Sequence, residues 1–258
     1  MANYGICSLT LIPMRKEAAE RSEMVSQVLF GETFEIVERQ NSWSHIKTQF
    51  DEYLGWVSNS MITRIEPDVF QLRQNKLKVI LKDPICKVSS AEATLPVAYL
   101  AGGSTLLEEN GEIVIDGHIL QLGNHAELFH TGGKVDIIST ALQYLNTPYL
   151  WGGRTAFGID CSGFTQVVFK SNGITFPRDA YQQAELGKEV NIKDIQPCDL
   201  AFFENDHGRI MHVGIVLQNS EILHSSGKVH IDRLDEKGIF NYRSKEYTHK
   251  LRIIKRIL

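Results

Sequence analysis

The most informative stretch of the chain is residues 151–164, WGGRTAFGIDCSGF. A glycine-rich loop leads there into Cys161, which the pattern places in the first turn of an amphipathic helix. Unpaired backbone N–H groups and the positive end of a helix dipole favour a thiolate, lower the pKa of a thiol and can hold an oxyanion. The segment therefore predicts either a nucleophilic Cys161 or a buried helical cysteine beside the N-cap residue Asp160.

Two histidines farther along the chain supply the partners that a thiol nucleophile needs. His212 and Gly214 share one face of a predicted strand, and His224 ends the next strand. A tight turn at residues 219–220 joins the two strands, so the histidines can lie on neighbouring strands. A single strand histidine is usually a core residue. Two paired histidines downstream of a helix-start cysteine favour a base and a group that orients it.

The elements around these residues predict an α+β domain. Helical periodicity covers 135–145, a segment that follows Asp160, and 179–186. Strand patterns dominate afterwards, at 199–203, 209–217, 221–224, 229–231 and 251–257. Helices followed by antiparallel strands are typical of the α+β class.

The N-terminal half of the chain reads as all-β. Short alternating apolar runs fill residues 1–67, apart from a polar loop or short helix at 15–27, and Pro67-Asp68 breaks the pattern. A second β stretch begins at Leu77, includes a strand within 91–100 and ends near Leu122. The order of signals predicts two weakly similar small β-barrels, with one all-β domain as the alternative.

Composition excludes several classes of protein. The 258 residues carry 27 Lys and Arg against 31 Asp and Glu, a net charge of −4, which argues against a nucleic-acid partner. No segment approaches the roughly 18 unbroken apolar residues of a membrane helix. The start, MANYGICSLTLIPM, is a poor secretory signal, so we expect a cytoplasmic protein, or a periplasmic or secreted one if a signal was removed ahead of it.

The four cysteines do not predict a metal site. Cys7, Cys86, Cys161 and Cys198 form no CxxC pair, and His207 with His212 lacks a matching cysteine or carboxylate pair. We therefore expect no metal and no cofactor, with Cys161 reactive and the other three thiols packed as small apolar side chains.

Four motifs together resemble the NlpC/P60 cysteine peptidases, which cleave bacterial cell-wall peptides. PYLWGG, DCSGF, HVGI and ILHSSG occur in that order within 132–258. The resemblance implies a papain-like α+β domain in which Cys161 is the nucleophile, His212 the general base and His224 the orienting third residue. One departure is Cys198, which stands where the family often has glycine in a Pro-Gly-Asp-Leu turn.

The two β modules resemble bacterial SH3-like (SH3b) domains, which gives predicted domains at 1–68, 69–128 and 132–258. This arrangement is similar to that of γ-D-glutamyl-L-diamino acid endopeptidases of murein-peptide recycling. The resemblance implies cleavage of peptides with a free N-terminal L-alanine, such as L-Ala-γ-D-Glu-diaminopimelate or its lysine counterpart. We also expect the protein to be a monomer. A muramoyl-L-alanine amidase, an acyltransferase, or a wall-binding SH3b protein with a silent peptidase domain are the alternatives.

A free ammonium group requires a carboxylate partner in a closed pocket. By resemblance, the peptidase domain contributes Tyr149, Asp160, Ser162 and Asp179 to that pocket, and the first SH3b module contributes Glu23 and Tyr53. Structural roles compete with these assignments. Both aspartates can serve as helix N-caps, the glutamate can be a solvated loop residue, and the tyrosine can pack within its own barrel.

Overall fold

The computed structural model describes residues 3–75, 78–90, 97–115, 118–123 and 126–258. Leu77, where the second β stretch was predicted to begin, and most of the predicted strand at 91–100 lie outside these ranges. The chain forms two compact units. One comprises Met1–Val135 with Lys170–Thr175, and the other Asp136–Phe169 with Phe176–Leu258. No helix in the described ranges has the length and hydropathy needed to cross a membrane.

The first β module of the N-terminal unit is a seven-stranded antiparallel sheet with strand order β3-β2-β6-β5-β4-β1-β7. Alternating apolar side chains bury one face of it around Ile12, Phe34 and Ile46. Its strands are β1 (Tyr4–Ile6), β2 (Leu11–Arg15), β3 (Met24–Leu29), β4 (Thr33–Gln40), β5 (Trp43–Thr48), β6 (Leu54–Ser58) and β7 (Thr63–Ile65), with a 3-10 turn at Asn59–Met61.

One sequence expectation for this region is wrong. The segment 15–27 is not a single loop or helix, because Arg15 ends β2 and pairs with Met24, the first residue of β3. The break in the strand pattern at Pro67-Asp68 is confirmed, and a helix that was not predicted, α1 (Pro67–Asn75), begins there. A proline at the first helical position costs no hydrogen bond, since the N–H that it lacks has no intrahelical partner there.

The second β module of the same unit consists of two small sheets, with strand orders β10-β9-β14 and β13-β12-β11-β8-β15. Its strands are β8 (Lys78–Leu81), β9 (Ile85–Ser89), β10 (Tyr99–Ala101), β11 (Thr105–Glu109), β12 (Glu112–Ile115), β13 (His118–Ile119), β14 (Gln121–Leu122) and β15 (Leu128–Phe129). Phe30 of the first module packs in the core of the second. The two modules therefore share apolar packing.

The segment Lys170–Thr175 belongs to the N-terminal unit through a buried ion pair. Lys170 Nζ lies 2.5 Å from Glu32 Oε1, and both side chains are almost fully buried. Glu32 Oε2 also accepts a 2.7 Å hydrogen bond from the Leu29 N–H. Removing one member of such a pair would leave an uncompensated buried charge, so the pair fixes this segment in place.

The C-terminal unit combines a few short helices with a closed ring of strands. Pairings run β24-β19-β20-β21-β22-β23 and return from β23 to β24, with β18 added beside β24. The elements are α2 (Ile137–Leu142), β16 (Arg154–Thr155), β17 (Gly158–Ile159), α3 (Cys161–Lys170), α4 (Ala180–Gln183), β18 (Lys188–Glu189), β19 (Leu200–Glu204), β20 (Ile210–Val216), β21 (Glu221–Ser226), β22 (Lys228–Asp235), β23 (Gly238–Phe240) and β24 (Tyr247–Arg256), with 3-10 turns at Ile192–Asp194 and Gln218–Ser220.

This architecture confirms the α+β prediction, with differences at the element ends. The helix expected at 179–186 is reduced to the single turn of α4, and β23 was not predicted. The last strand begins at Tyr247 rather than near 251. Its first residues, YTHK, are polar, so they give no alternating apolar signal from which a strand could be predicted.

Candidate active site

Cys161 is the first residue of α3, and the preceding residue caps the helix. Asp160 accepts hydrogen bonds through its carbonyl from the Phe164 N–H, at 2.9 Å, and through Oδ1 from the Gly163 N–H, at 2.6 Å. A Cβ atom at Gly163 would collide with the carbonyl of Gly153. Gly163 is therefore required by the close approach of the loop backbone to the first turn of the helix.

The Cys161 thiol is buried, with 6% of the residue exposed. Its Sγ lies 3.9 Å from the carbonyl oxygen of Met211 and also meets the N–H groups of Val213 and Ser162. Burial, followed by the negative charge of Asp160, raises the pKa of the thiol to about 12, although both N–H groups lower it. The expectation of a lowered pKa is therefore wrong, because desolvation outweighs the helix-start dipoles. The resting nucleophile is a thiol.

A β-bulge sits directly before the predicted general base. Phe203 of β19 pairs with His212 of β20, whereas the next residue, Glu204, pairs with Ile210. Met211 is thus an extra residue on β20, and its side chain is exposed whereas that of His212 is buried. Bulges re-aim the side chains that follow them. This one places the backbone on both sides of His212 against the Cys161 thiol.

The two predicted histidines form a hydrogen-bonded chain that ends on a carboxylate. His212 Nε2 lies 2.9 Å from His224 Nδ1, and His224 Nε2 lies 3.2 Å from Asp232 Oδ2. Strand pairing places Gly214 opposite His224, where a Cβ atom would crowd the His224 side chain. His212 and Gly214 lie on β20, His224 on β21 and Asp232 on β22, so the chain of hydrogen bonds crosses three consecutive strands.

The hydrogen bonds assign the tautomers of both histidines. The ionised carboxylate of Asp232 can only accept, so His224 Nε2 carries the proton and His224 Nδ1 is the acceptor. His212 Nε2 must then donate to His224, which leaves His212 Nδ1 with a free lone pair. An imidazole in this state has a ring nitrogen that can accept a proton.

Sequence reasoning missed Asp232. Its Oδ2 also accepts from Asn241 Nδ2, at 2.7 Å, and His230 Nε2, at 3.0 Å, and its Oδ1 accepts from the Tyr242 N–H, at 2.9 Å. Burial alone would raise the pKa of Asp232, but the hydrogen bonds from His224 and the Tyr242 N–H hold it below its usual value. The available signal was the alternation in VHIDRL, which puts His230 and Asp232 on one strand face.

His212 and His224, the two histidines of this hydrogen-bonded relay, are neutral at pH 7. Burial is the main cause that lowers the pKa of His212 well below 6.5, and neighbouring His224, His249 and His230 lower it further. Burial also lowers the pKa of His224, although its bond to Asp232 opposes the shift. With a neutral histidine and a protonated thiol, a thiolate would form only as a base removes the thiol proton.

Three of the predicted substrate-binding residues lie around Cys161. Burial raises the pKa of Tyr149, and electrostatic coupling to Cys161 and Asp160 raises it further, so the tyrosine hydroxyl belongs to the same cluster. Arg178, which sequence reasoning missed, links the other two predicted residues, Asp160 and Ser162. It bonds to Asp160 Oδ1 at 3.0 Å, to Asp160 Oδ2 at 2.5 Å and to Ser162 Oγ at 2.8 Å. The cluster is therefore a buried polar group built on a two-pronged ion pair.

The aspartates differ in what they offer to a ligand. Asp160 is 5% exposed, and its carboxylate accepts from Arg178 and from the N–H groups of Gly152 and Gly163, so its charge is matched within the protein. Asp179 is half-buried and precedes α4, where its N–H donates to Gln182 Oε1 at 3.2 Å. Both aspartates thus occupy the N-cap positions that the sequence offered as the structural alternative.

The two residues predicted from the first SH3b module lie in the N-terminal unit. Glu23 is exposed and lies 3.5 Å from Lys16 Nζ. Tyr53 is half-buried and packs against the core of its own module. The part of both residues in substrate binding stays a prediction.

The side chains around the His212–His224–Asp232 relay include potential metal ligands. Within the described ranges, two groups bring three donor atoms within 4.8 Å of one another: His212, His224 and His249, and His224, His230 and Asp232. The rings of His212 and His249 are stacked at an interplanar angle of 25°, so their in-plane lone pairs run nearly parallel rather than converging on one ion. The second group is joined by hydrogen bonds. Both arrangements fit a proton relay better than a metal centre.

A buried thiol at a helix start, a neutral histidine base and a His–Asp chain behind it define a cysteine hydrolase. The NlpC/P60 family model matches residues 146–251, and the model of the bacterial dipeptidyl-peptidase Sh3 domain matches residues 14–62. The chain belongs to the NlpC/P60 family of cysteine peptidases. The predicted family, the SH3-like N-terminal domain and the peptidase fold are confirmed, while the exact domain boundaries stay predictions.

The chain is similar to two curated peptidases over most of its length. It is 31% identical over 216 residues to a γ-D-glutamyl-L-lysine dipeptidyl-peptidase of Bacillus subtilis (strain 168), covering 78% of this chain and 71% of the relative. A Bacillus cereus (strain ATCC 10987) peptidase with the same description is 28% identical over 227 residues, covering 79% and 68%. The crystal structure of an NlpC/P60 family protein from Bacillus cereus ATCC 10987 shares the fold, with a TM-score of 0.81, 20% identity and 99% of each chain covered.

Proposed function

We propose that the protein is a cysteine endopeptidase that hydrolyses the γ-D-glutamyl–diamino acid bond of murein peptides with a free N-terminal L-alanine. The observation that carries this proposal is the similarity to the γ-D-glutamyl-L-lysine dipeptidyl-peptidase of Bacillus subtilis. Its aligned length of 216 residues exceeds the segment 146–251 that defines the peptidase family. The relationship therefore includes more of the chain than the catalytic domain alone.

The site accounts for the chemistry as a proton transfer followed by acyl transfer. Cys161 Sγ attacks the γ-carbonyl carbon of D-glutamate while its proton passes to Nδ1 of His212. His224, backed by Asp232, stabilises the imidazolium, and N–H groups at the start of α3 hold the oxyanion. The imidazolium protonates the leaving amine as the C–N bond breaks. Water, deprotonated by the same base, then releases the acyl group from the thioester.

Recognition of the substrate ammonium group assigns different roles to the two aspartates. Arg178 neutralises Asp160 within the protein, and Asp179, at the N-cap of α4, is the second carboxylate that we propose to meet the ligand cation. Tyr149 and Ser162 line the same end of the site. An amidase or acyltransferase on this scaffold would use the same nucleophile, whereas a silent wall-binding protein would have no need of the complete Cys161-to-Asp232 relay.

Mass spectrometry of products from L-Ala-γ-D-Glu-diaminopimelate and its N-acetylated analogue tests the proposal. We expect L-Ala-γ-D-Glu from the free peptide and a rate at least about 100-fold lower for the blocked one, because blocking leaves a carboxylate without its cation. The lysine peptide and a muramoyl peptide complete the set. Equal cleavage of the free and blocked peptides would overturn amine recognition, and release of L-alanine-terminated peptide from the muramoyl substrate would make the enzyme an amidase.

A role in murein-peptide recycling, in the cytoplasm, forms part of the same proposal. A free N-terminal alanine exists only after the bond between muramic acid and alanine has been cut, so the substrate is a fragment already released from glycan. Such a fragment suits an enzyme that acts on recovered peptides. Immunoblots of fractionated cells should find the protein with cytoplasmic markers, and recovery with periplasmic or wall fractions would contradict this location.

The pH dependence of cleavage should reflect the depressed pKa of His212. His212 cannot act as a base once it is protonated, and its pKa lies well below 6.5. We therefore expect kcat/KM to stay within about twofold between pH 7.5 and 6.5 and to decline only at lower pH. The unfolded chain binds more protons at its histidines below pH 6.5, so the melting temperature should also fall as the pH drops below that value. A half-maximal kcat/KM at or above pH 6.5, in protein still folded by thermal melting, would contradict the assignment.

A further inference from the structure

We propose that His249 is a positioning residue for the general base His212, holding its imidazole ring in the orientation that bonds to His224. His249 lies on β24, away from the relay strands in sequence. The proposal rests on the Cys161–His212 chemistry and is independent of which peptide bond is cleaved. His249 acts through the base and is given no contact with substrate.

The ring of His249 covers one face of the ring of His212. Their centroids lie 4.1 Å apart with an interplanar angle of 25°. His249 also meets Phe203 and His224 edge-on, with centroids at 6.0 Å and 5.7 Å. Phe203 in turn lies 5.8 Å from His212, tilted by 47°. Rings packed in this way restrict rotation about the Cβ–Cγ bond of His212, which the single hydrogen bond to His224 leaves free to rock.

The strand pairing shows that this contact is built into the backbone. Phe202 pairs with Ile253 of β24, but Phe203 pairs with Leu251, which makes Arg252 an extra residue on that strand. A second bulge, described above, lies at Met211 on the opposite side of Phe203. The two bulges flank the same residue of β19, and together they bring the side chains of His212 and His249 into register over Phe203.

The chemistry of the contact also favours a neutral base. Burial, then the charge of His224, lowers the pKa of His249 to about 4, so this ring is uncharged at neutral pH. Its Nδ1 lies 2.8 Å from Thr248 Oγ1. The titratable groups that face it are His212 on β20, His224 on β21, and His230 and Asp232 on β22. A neutral ring stacked on His212 keeps water from that face, and this adds to the desolvation that keeps the base unprotonated.

The proposal is tested with three variants, His249→Phe, His249→Ala and His249→Asn. The control is Lys250→Ala, which removes a surface ion pair on the same strand. Two properties are measured in each protein. The first readout is the pKa and tautomer of His212, from NMR of imidazole nitrogens. The second is the split between kcat and KM for the tripeptide. We expect Ala and Asn to raise the pKa of His212 by about one unit, to weaken its single-tautomer signature, and to lower kcat about 10-fold with KM within about twofold. His249→Phe retains the ring stack, so its His212 titration and its kcat should match those of the parent protein.

The NMR readout needs no substrate, so it separates this proposal from the proposed function. If the tripeptide is not cleaved by the parent protein, the tautomer and pKa of His212 still report on the stack. Because Asn keeps a polar side chain beside Thr248, it supports the comparison even if Ala does not fold. A wild-type His212 titration in the Asn variant, or a Phe variant that behaves like Asn, would overturn the proposal.

Discussion

Cys161→Ala is expected to lower kcat/KM for the tripeptide by at least about 10,000-fold while the protein stays folded. The substitution removes the thiol assigned to form the acyl-enzyme, and the remaining oxyanion donors and binding contacts supply only residual catalysis. Loss of the buried sulfur removes little packing, so the melting temperature should change by only a few degrees. Product formation by mass spectrometry and a thermal melt measure the two effects.

Cys198→Ala is the matched control for this experiment. Cys198 is half-buried in the same unit, in a turn where its φ of 78° lies in the left-handed region that favours glycine. Alanine keeps the same backbone strain, so the control should retain the full activity of the parent protein. Cleavage by Cys161→Ala at a rate near that of the parent would refute the nucleophile assignment and with it the acyl-enzyme mechanism.

Asp232→Asn is expected to lower kcat/KM by about 1,000-fold. An asparagine amide can present an N–H to His224 Nε2, which would reverse the tautomer of His224 and remove the acceptor for the His212 proton. The His212 proton would then lie on Nδ1, which could no longer accept the proton of the thiol. The effect should fall on kcat, because Asp232 is buried behind the two histidines and is not assigned to substrate contact.

Asp235→Asn, three residues farther along β22, is the matched control for Asp232. Asp235 bonds to Arg233 and Tyr247 at the surface, away from the histidine chain, so its variant should cleave the tripeptide normally. Nuclear magnetic resonance of the imidazole nitrogens should show the tautomer change only in Asp232→Asn. An Asp232→Asn enzyme within a few-fold of the parent would mean that His224 alone orients the base.

The parts of the site predicted from the sequence are those coded by local pattern. Cys161 follows a glycine loop at a helix start, and His212 and His224 lie on two strands joined by one turn, so spacing alone brings the two histidines near one another. The same local signals give the α+β class and most strands of the closed ring. Residues joined by a short turn have few alternative pairings, which is why the prediction of neighbouring strands succeeded.

The missing parts depend on packing between residues distant in sequence. Arg178 and Asp160 meet across a loop, and His249 reaches His212 only because two bulges shift the register on either side of Phe203. No local periodicity records an inserted strand residue. The pKa of Cys161 was predicted in the wrong direction for the same reason. The helix-start dipoles are readable from sequence, whereas the burial that outweighs them is a property of the whole domain.

The ring of strands in the C-terminal unit also sets an order of events during synthesis. The nucleophile, the base and the His–Asp chain all precede β23, but the ring closes only when Tyr247–Arg256 can pair with both β19 and β23. A nascent chain from which Cys161, His212 and Asp232 have already emerged still lacks β24, the strand that closes the ring. Peptidase activity should therefore appear as a late event, switched on when this strand leaves the ribosome rather than as each catalytic residue emerges.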